Sequence, residues 1–176
     1  MFKILTVEDI NHNTVEHLLN FTYKESIQEI LKESYLEESN SCNYENAVNK
    51  LREDYYSFID NYVHSINRNQ LIAVYEHEGK FVSALRAVEM TNGIWLEEAL
   101  ESAVEYRNQG FSTRLLYGLL DYLKTTNGKI LIANIGKSNT ESRNLHRKLG
   151  FIETDKVACD EDGNEYYKQI RYEYSI

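Results

Sequence analysis

The sequence predicts one α/β sandwich, a mixed sheet with helices on both sides. Three observations carry that reading. Strand-like and helix-like periodicities follow one another in the order β-α-α-β-β-β-α-β-α-β-β along 176 residues. Residues 129–134, KILIAN, form a nearly all-apolar run, the pattern of a strand buried on both faces. The chain has no proline, eight glycines and neither a low-complexity linker nor a repeat, so a single domain over 1–176 is expected.

Residues 2–6, FKILT, read as a short strand. Helical spacing follows over 7–35, with Val15, Leu18 and Leu19, then Ile27, Ile30 and Leu31. A polar loop, EESNSCNYEN, leads into a second long helix over 44–66, striped by Val48, Leu51, Tyr55, Phe58, Ile59 and Val63. Residues 70–90 read as two strands around a tight turn at Glu78 and Gly79. GIWLEEALESAVEY reads as a third strand from Ile94 to about Ala103, although its pattern also suits a helix. Leu115, Leu116, Leu119, Leu120 and Leu123 fall on one face of a strongly amphipathic helix. After KILIAN, residues 138–150 form a helix, with Ser138 and Glu141 at capping-box spacing and Gly150 as its C-terminal stop. Residues 151–174 close the chain as a hairpin around EDGN.

Composition narrows the function. A net charge of −9 argues against nucleic acid, whose phosphates would be repelled, and favours a cationic partner. No apolar run approaches the ~20 residues of a membrane span, and the N-terminus lacks a signal-peptide pattern. The two cysteines, Cys42 and Cys159, belong to no metal or redox motif, so free thiols in a reducing cytoplasm are expected, with no metal site.

The stretch EYRNQGFSTRLL, residues 105–116, raises the possibility of a phosphate cradle. A helix begins with about four backbone N–H groups that no intrahelical carbonyl accepts, and the macrodipole adds partial positive charge there. Gly110 allows a positive φ and close approach of an anion. Phe111, Ser112 and Thr113 would supply the next amides, the two hydroxyls would add donors, and Arg107 and Arg114 flank the turn. The stretch is not a Walker A loop, which needs a second glycine followed by Lys and Ser/Thr, nor a dinucleotide fingerprint, which needs three glycines. Alone, one glycine before a helix is most simply a turn.

A second motif changes the balance. RNQGFS fits [QR]-x-x-G-x-[GA], with Ser112 in the last small position. An apolar strand follows, and then Asn139, Ser142, Leu145, Lys148, Gly150 and Phe151 match N-x-x-[AS]-x-x-L-[Y]-x-K-x-G-F without a gap. This succession resembles the acyl-CoA-dependent N-acetyltransferases of the GNAT superfamily over about residues 69–158. The resemblance implies a mostly antiparallel sheet of about seven strands. It assigns 1–68 to an acceptor-side helical region, 69–158 to the acyl-CoA-binding core and 159–176 to a C-terminal strand. It also makes 94–103 a strand, since Trp95, Leu96, Glu98 and Leu100 echo the family's fourth strand. Three positions depart from the pattern: Val104 where a proline is usual, Ser112 in the loop, and His146 where a tyrosine is usual.

The implied reaction is direct attack of an amine on the thioester of acetyl-CoA, used as co-substrate. It needs reactants held together, a base, donors for the carbonyl oxygen and an acid for the leaving thiolate. The resemblance assigns the pyrophosphate to Arg107, Asn108, Gln109, Gly110, Phe111, Ser112 and Thr113. Backbone N–H groups around Leu100, Glu101 and Ser102 are the implied donors, and Asn139, Ser142 and His146 lie along the pantetheine. It gives the acid's role to His146, whose reference pKa near ~6.5 compares with about 10 for tyrosine. Simple alternation puts Glu97 and Glu101 on one face of the strand and Glu98 on the other. Glu98 is the implied base, with Glu101 in reserve. Tyr23, Tyr55, Tyr56 and His64 are candidates to line the acceptor pocket.

The acidic strand favours the primary amine of a small cationic molecule, polyamine-like or aminoglycoside-like. Acetylation of a protein N-terminus or lysine, a non-catalytic acyl-CoA sensor and a protein-binding scaffold are the alternatives. No membrane or nucleic-acid partner is expected. A homodimer is compatible with the resemblance, which leaves the oligomeric state open.

Overall fold

The structure, a computed structural model, describes residues 1–23, 44–65 and 68–176; the side chains of residues 20–23, 44, 45 and 47 fall outside that description. The expected elements on Ile27, Ile30, Leu31 and Cys42, and the side chain of Tyr23, therefore lie outside the described residues.

The elements run β1 (Phe2–Leu5), α1 (His12–Tyr23), α2 (Tyr44–Val63), β2 (Gln70–His77), β3 (Lys80–Thr91), β4 (Ile94–Ser102), α3 (Phe111–Thr125), β5 (Ile130–Gly136), α4 (Thr140–Leu149), β6 (Ile152–Glu153) and β7 (Gln169–Ser175). The seven strands form one sheet in the order β1-β2-β3-β4-β5-β7-β6. Every neighbouring pair is antiparallel except β4–β5. The ambiguous segment IWLEEALES is a strand. The β2–β3 hairpin turns at Glu78 and Gly79, both at positive φ (51° and 73°), the twist that matches a two-residue hairpin.

Alternation sorts the apolar side chains between two cores. The leucine face of α3 packs with Leu71, Leu85, Ala87, Trp95, Leu131 and Tyr172 on one side of the sheet. On the other side, Val15, Leu18 and Leu19 of α1 and Leu51, Tyr55 and Ile59 of α2 cover Ile72, Val74 and Ala84. Each fully buried leucine contributes about 1.5–3 kcal/mol. Phe58 departs from the expected stripe: it is exposed and lies over the Arg86 guanidinium, 4.9 Å from the ring centre.

One close approach on the α3 side is testable. A Cβ on Gly118 would stand 2.3 Å from Phe2 Cδ2 and 2.9 Å from Phe2 Cβ, so only glycine lets β1 lie this close to the helix. Gly118→Ala should destabilise the fold by about 1–3 kcal/mol through overpacking, partly offset by up to ~1 kcal/mol of helix propensity. Thermal melts check this. Adding Phe2→Ala should relieve the loss, and a single variant that melts no lower than the parent would show that β1 yields freely.

Two irregularities of β4 shape the site. Its parallel ladder with β5 runs from Ile94↔Ile130 to Glu97↔Ala133 and stops, so the strands separate beyond Glu97. Toward β3, the register passes from Arg86↔Glu98 to Ala84↔Glu101, leaving Leu85 opposite two residues, Ala99 and Leu100. That is a β-bulge, with Ala99 at φ 48°.

Candidate active site

The gap between the separating strands opens into a cleft of about 710 Å³, within the size range of small-molecule sites. Leu100, Glu101 and Ser102 of β4 form one wall. The turn after β4 and the start of α3 form the floor, through Tyr106, Arg107, Asn108, Gly110, Phe111, Ser112 and Thr113. Asn139, Glu141, Ser142, Asn144, Leu145 and Lys148 of α4 close the far side.

The floor is an open helix start, the kind of feature that can receive an anion. A short 3-10 turn, Val104–Tyr106, delivers the chain to Arg107, whose Nε donates to the Ser102 carbonyl at 3.3 Å. Gly110, at φ 78°, is the N-cap of α3, and no side chain caps the helix. No acidic residue stands in its first turn, and the first intrahelical bond recorded is Arg114 N to Gly110 O, at 3.1 Å. The amides of Phe111, Ser112 and Thr113 are thus left without intrahelical acceptors. Phe111 anchors the turn from beneath, packed on Tyr75, His77 and Tyr106 with ring centres 4.9–5.9 Å apart.

A chain of hydroxyls ties this floor to the sheet. Ser83 Oγ donates to the Glu101 carbonyl at 2.7 Å, Ser102 Oγ donates to Ser83 Oγ at 3.0 Å, and Ser112 Oγ lies 2.6 Å from Ser102 Oγ. A hydroxyl has one proton and a carbonyl can only accept. The protons of Ser83 and Ser102 are therefore spent, and Ser112 donates inward. Its hydroxyl is a tie within the protein rather than the free donor expected from sequence; its amide has no intrahelical acceptor.

Of the residues expected at the coenzyme, Leu100, Glu101, Ser102, Arg107, Asn108, Gly110, Phe111, Ser112, Thr113, Asn139 and Ser142 all border the cleft, and Gln109 and His146 do not. Gln109 turns back, its Nε2 donating to the Glu105 carbonyl at 3.0 Å. The cap of α4 is Asn139, whose side chain accepts from Ser142 N at 3.1 Å, rather than Ser138. Tyr106, Glu141 and Asn144 were not expected in the cleft. Helical period could have found two of them: 141 and 145 are four apart, and 141 and 144 three apart, on the stripe that already held Ser142 and Leu145.

His146 departs furthest from expectation. Together with Leu149 it lies on the inward side of α4 and is 1% exposed. Its Nδ1 donates to the Ser142 carbonyl at 2.7 Å, and its Nε2 stands 3.1 and 3.3 Å from the two carboxylate oxygens of Glu97, whose side chain is 4% exposed. With Nδ1 carrying a proton toward a carbonyl, a second proton must lie between Nε2 and the Glu97 carboxylate, and the neighbouring negative charge favours it on the ring, as an imidazolium. Burial pulls its pKa down, but the Glu97 charge and the hydrogen bonds to Glu97 and Ser142 outweigh it and hold the pKa above the ordinary value. Both ring nitrogens are engaged away from the cleft, which does not fit an acid that protonates a thiolate there.

The bulge also redistributes the glutamates. Glu97 pairs across β3 with Ala87 of the α3-side core, whereas Glu98 pairs with Arg86 and Glu101 with Ala84 on the side of α1 and α2. Glu98 and Glu101 therefore share a face and Glu97 opposes them, contrary to simple alternation. Glu98 Oε2 lies 3.7 Å from Arg86 Nε, and the Arg86 guanidinium is covered by Phe58 and Tyr62. Burial pushes the Glu98 carboxyl above its usual range; Arg86 pulls against this, while Glu161 and Asp160 add to it. Glu101 lines the coenzyme cleft and also a small hollow on the opposite side, under Leu18, Tyr55 and Ile59. Of the other acceptor-side candidates, Tyr56 stacks on His12 and His64 is exposed beside Asp60.

A strand that parts from its parallel neighbour, beside a glycine-led helix start that no side chain caps, leaves a cleft suited to a ligand with an anionic end. The sequence profile of the Acetyltransferase (GNAT) family matches residues 24–151. The chain belongs to that family, and its reaction is acetyl-CoA-dependent acetyl transfer.

Among solved structures, the chain is similar to the PaiA N-acetyltransferase of Thermoplasma acidophilum in complex with coenzyme A, at 16% identity and TM-score 0.67, covering 100% of this chain and 99% of that one. It is also similar to the IAA acetyltransferase of Bacillus cereus, at 15% identity and TM-score 0.60, with 100% and 99% covered. The ribosomal-protein-alanine N-acetyltransferase of Brucella melitensis, at 19% identity and TM-score 0.56, is covered to the same extents. These likenesses bear on the fold. No curated protein sequence gives a match. Among the described residues, no helix is long and apolar enough to cross a membrane.

Proposed function

We propose that the chain acetylates the primary amine of a small cationic molecule, which enters on the α1–α2 side of β4. The observation that carries this reading is Glu101, a carboxylate that borders both the coenzyme cleft and the hollow beneath Leu18, Tyr55 and Ile59. Glu98 stands on the same face, with its carboxyl pushed up by burial. A carboxylate held above its usual range is better matched to taking a proton from an ammonium near neutral pH.

Bound acetyl-CoA supplies the activated thioester. The chain's residues do the rest. The amides at the start of α3, with Arg107, hold the anionic end. Backbone N–H groups of β4 around Leu100 to Ser102, beyond the end of the ladder with β5, face the carbonyl. Glu98 and Glu101 attract the ammonium and receive its proton, directly or through water.

Thiol release from acetyl-CoA across a panel of amines tests this. Di- and polyamines should turn over faster than neutral amines or a lysine peptide. Glu98→Gln should lower kcat by roughly 10²-fold or more and leave acetyl-CoA binding intact. Preference for a protein N-terminus, or full turnover in both Glu98→Gln and Glu101→Gln, would remove the reading.

A further inference from the structure

We propose that Glu97 and His146 form a crossbar that sets the width of the acetyl-CoA cleft, making both of them positioning residues rather than catalytic ones. The proposal rests on acetyl-CoA occupying the cleft described above, and goes beyond it by assigning a task to two residues that do not border that cleft.

The argument begins with where the pair stands. Glu97 is on the last rung of the β4–β5 ladder, and past it no backbone bond joins the two strands. Three to five residues further along, β4 contributes Leu100, Glu101 and Ser102 to the cleft. The opposite wall is α4, through Ser142 and Leu145, one turn and one residue before His146. The imidazolium thus joins the two walls at their closed end, by 3.1 and 3.3 Å contacts to Glu97 on one side and a 2.7 Å bond to the Ser142 carbonyl on the other.

The geometry is also over-determined. Nδ1 fixes the ring to its own helix at Ser142, which itself borders the cleft, and Ser142 N is held by the Asn139 side chain. The Phe151 ring meets the imidazole edge-on at 4.9 Å and blocks its other side. A ring held at both nitrogens and braced laterally leaves little freedom in the distance between α4 and β4. Apolar packing alone tolerates small slides; a charge-assisted hydrogen bond in a dry site tolerates less. The cleft walls must match a long, thin ligand along their length, and a misplacement of about 1 Å can lower a rate by 10²-fold.

A role in stability alone and a role in positioning make different predictions for the double variant Glu97→Leu/His146→Leu, which keeps the site packed and leaves no buried charge. Calorimetric titration with acetyl-CoA, which needs no acceptor, should show a dissociation constant raised roughly tenfold, with kcat/KM down about 10²-fold if the best amine is then added. Glu97→Gln, which retains a hydrogen bond to Nε2, should recover most of the affinity. A folded double variant that binds acetyl-CoA as tightly as the parent overturns the crossbar. If the double variant does not fold, His146→Gln answers the same question: its amide reaches Glu97 but releases the Ser142 carbonyl. Weakened binding supports the proposal and unchanged binding overturns it. If the parent itself fails to bind acetyl-CoA, the reading of the cleft is at fault and not the pair.

Discussion

Gly110→Val is expected to raise the dissociation constant for acetyl-CoA by at least ~10²-fold, the largest single-residue effect on binding in this chain. Two causes add. Gly110 sits at φ 78°, a region that a β-branched residue occupies only under strain. Its side-chain direction is open, with nothing within 4 Å of an added Cβ. Gly110 borders the same cleft as Phe111, Ser112 and Thr113, so the isopropyl group would add bulk at the start of the helix where the proposed anion seat lies. The two causes can be separated. Asparagine tolerates positive φ better than other side chains, so Gly110→Asn keeps the turn while still filling space, and should fall between the parent and Gly110→Val. Calorimetric titration measures all three. Tight binding by Gly110→Val would mean that the anion sits elsewhere.

His146→Leu is expected to cost stability as well as coenzyme affinity: about 3–5 kcal/mol of folding free energy, because it leaves the Glu97 carboxylate buried without its partner. Adding Glu97→Leu should restore most of the loss, since a buried ion pair replaced by apolar groups is often near neutral. The pH dependence carries a sign. The folded-state pKa of His146 lies above its ordinary value. Its contribution is therefore fully present below the unfolded value near ~6.5 and fades as pH rises through the higher folded value. Melting temperatures of the parent and the double variant, followed from acid to alkaline pH, should draw together on the alkaline side. A parent that gains on the double variant as pH rises would contradict the imidazolium assignment.

The order of elements and the glycine-led helix start are legible because their signals are local. Leucines at helical spacing, a tight turn at Glu78 and Gly79, and one glycine ahead of α3 each fix their own neighbourhood. What was not legible depended on partners distant in sequence. His146 looked like a substitute for a tyrosine at the cleft; 49 residues away, Glu97 recruits it into the interior. Simple alternation separates Glu98 from Glu101; the bulge that reunites them falls on Ala99, an alanine at positive φ where a glycine would give warning. Ser138 has the spacing of a cap, but Asn139 holds Ser142 N, one residue further on. The Ser112 hydroxyl looked free for phosphate until Ser83 and Ser102 were seen to direct its proton inward.

The bulge at Ala99 has a consequence for how this strand can change. Before it, odd-numbered side chains face α3; after it, the even-numbered Leu100 and Ser102 do. The strand thus has two reading frames, joined at one strained residue. A substitution at Glu97 or Glu98 alters one compartment and leaves its neighbours where they are. Deleting the extra residue would restore regular alternation and leave Leu100 and Ser102 facing α3; flattening the bulge with Ala99 retained would instead exchange the faces of everything beyond it, turning Glu101 toward α3 and Leu100 away. Along β4, the persistence of the bulge, rather than the number of residues, keeps each side chain in its compartment.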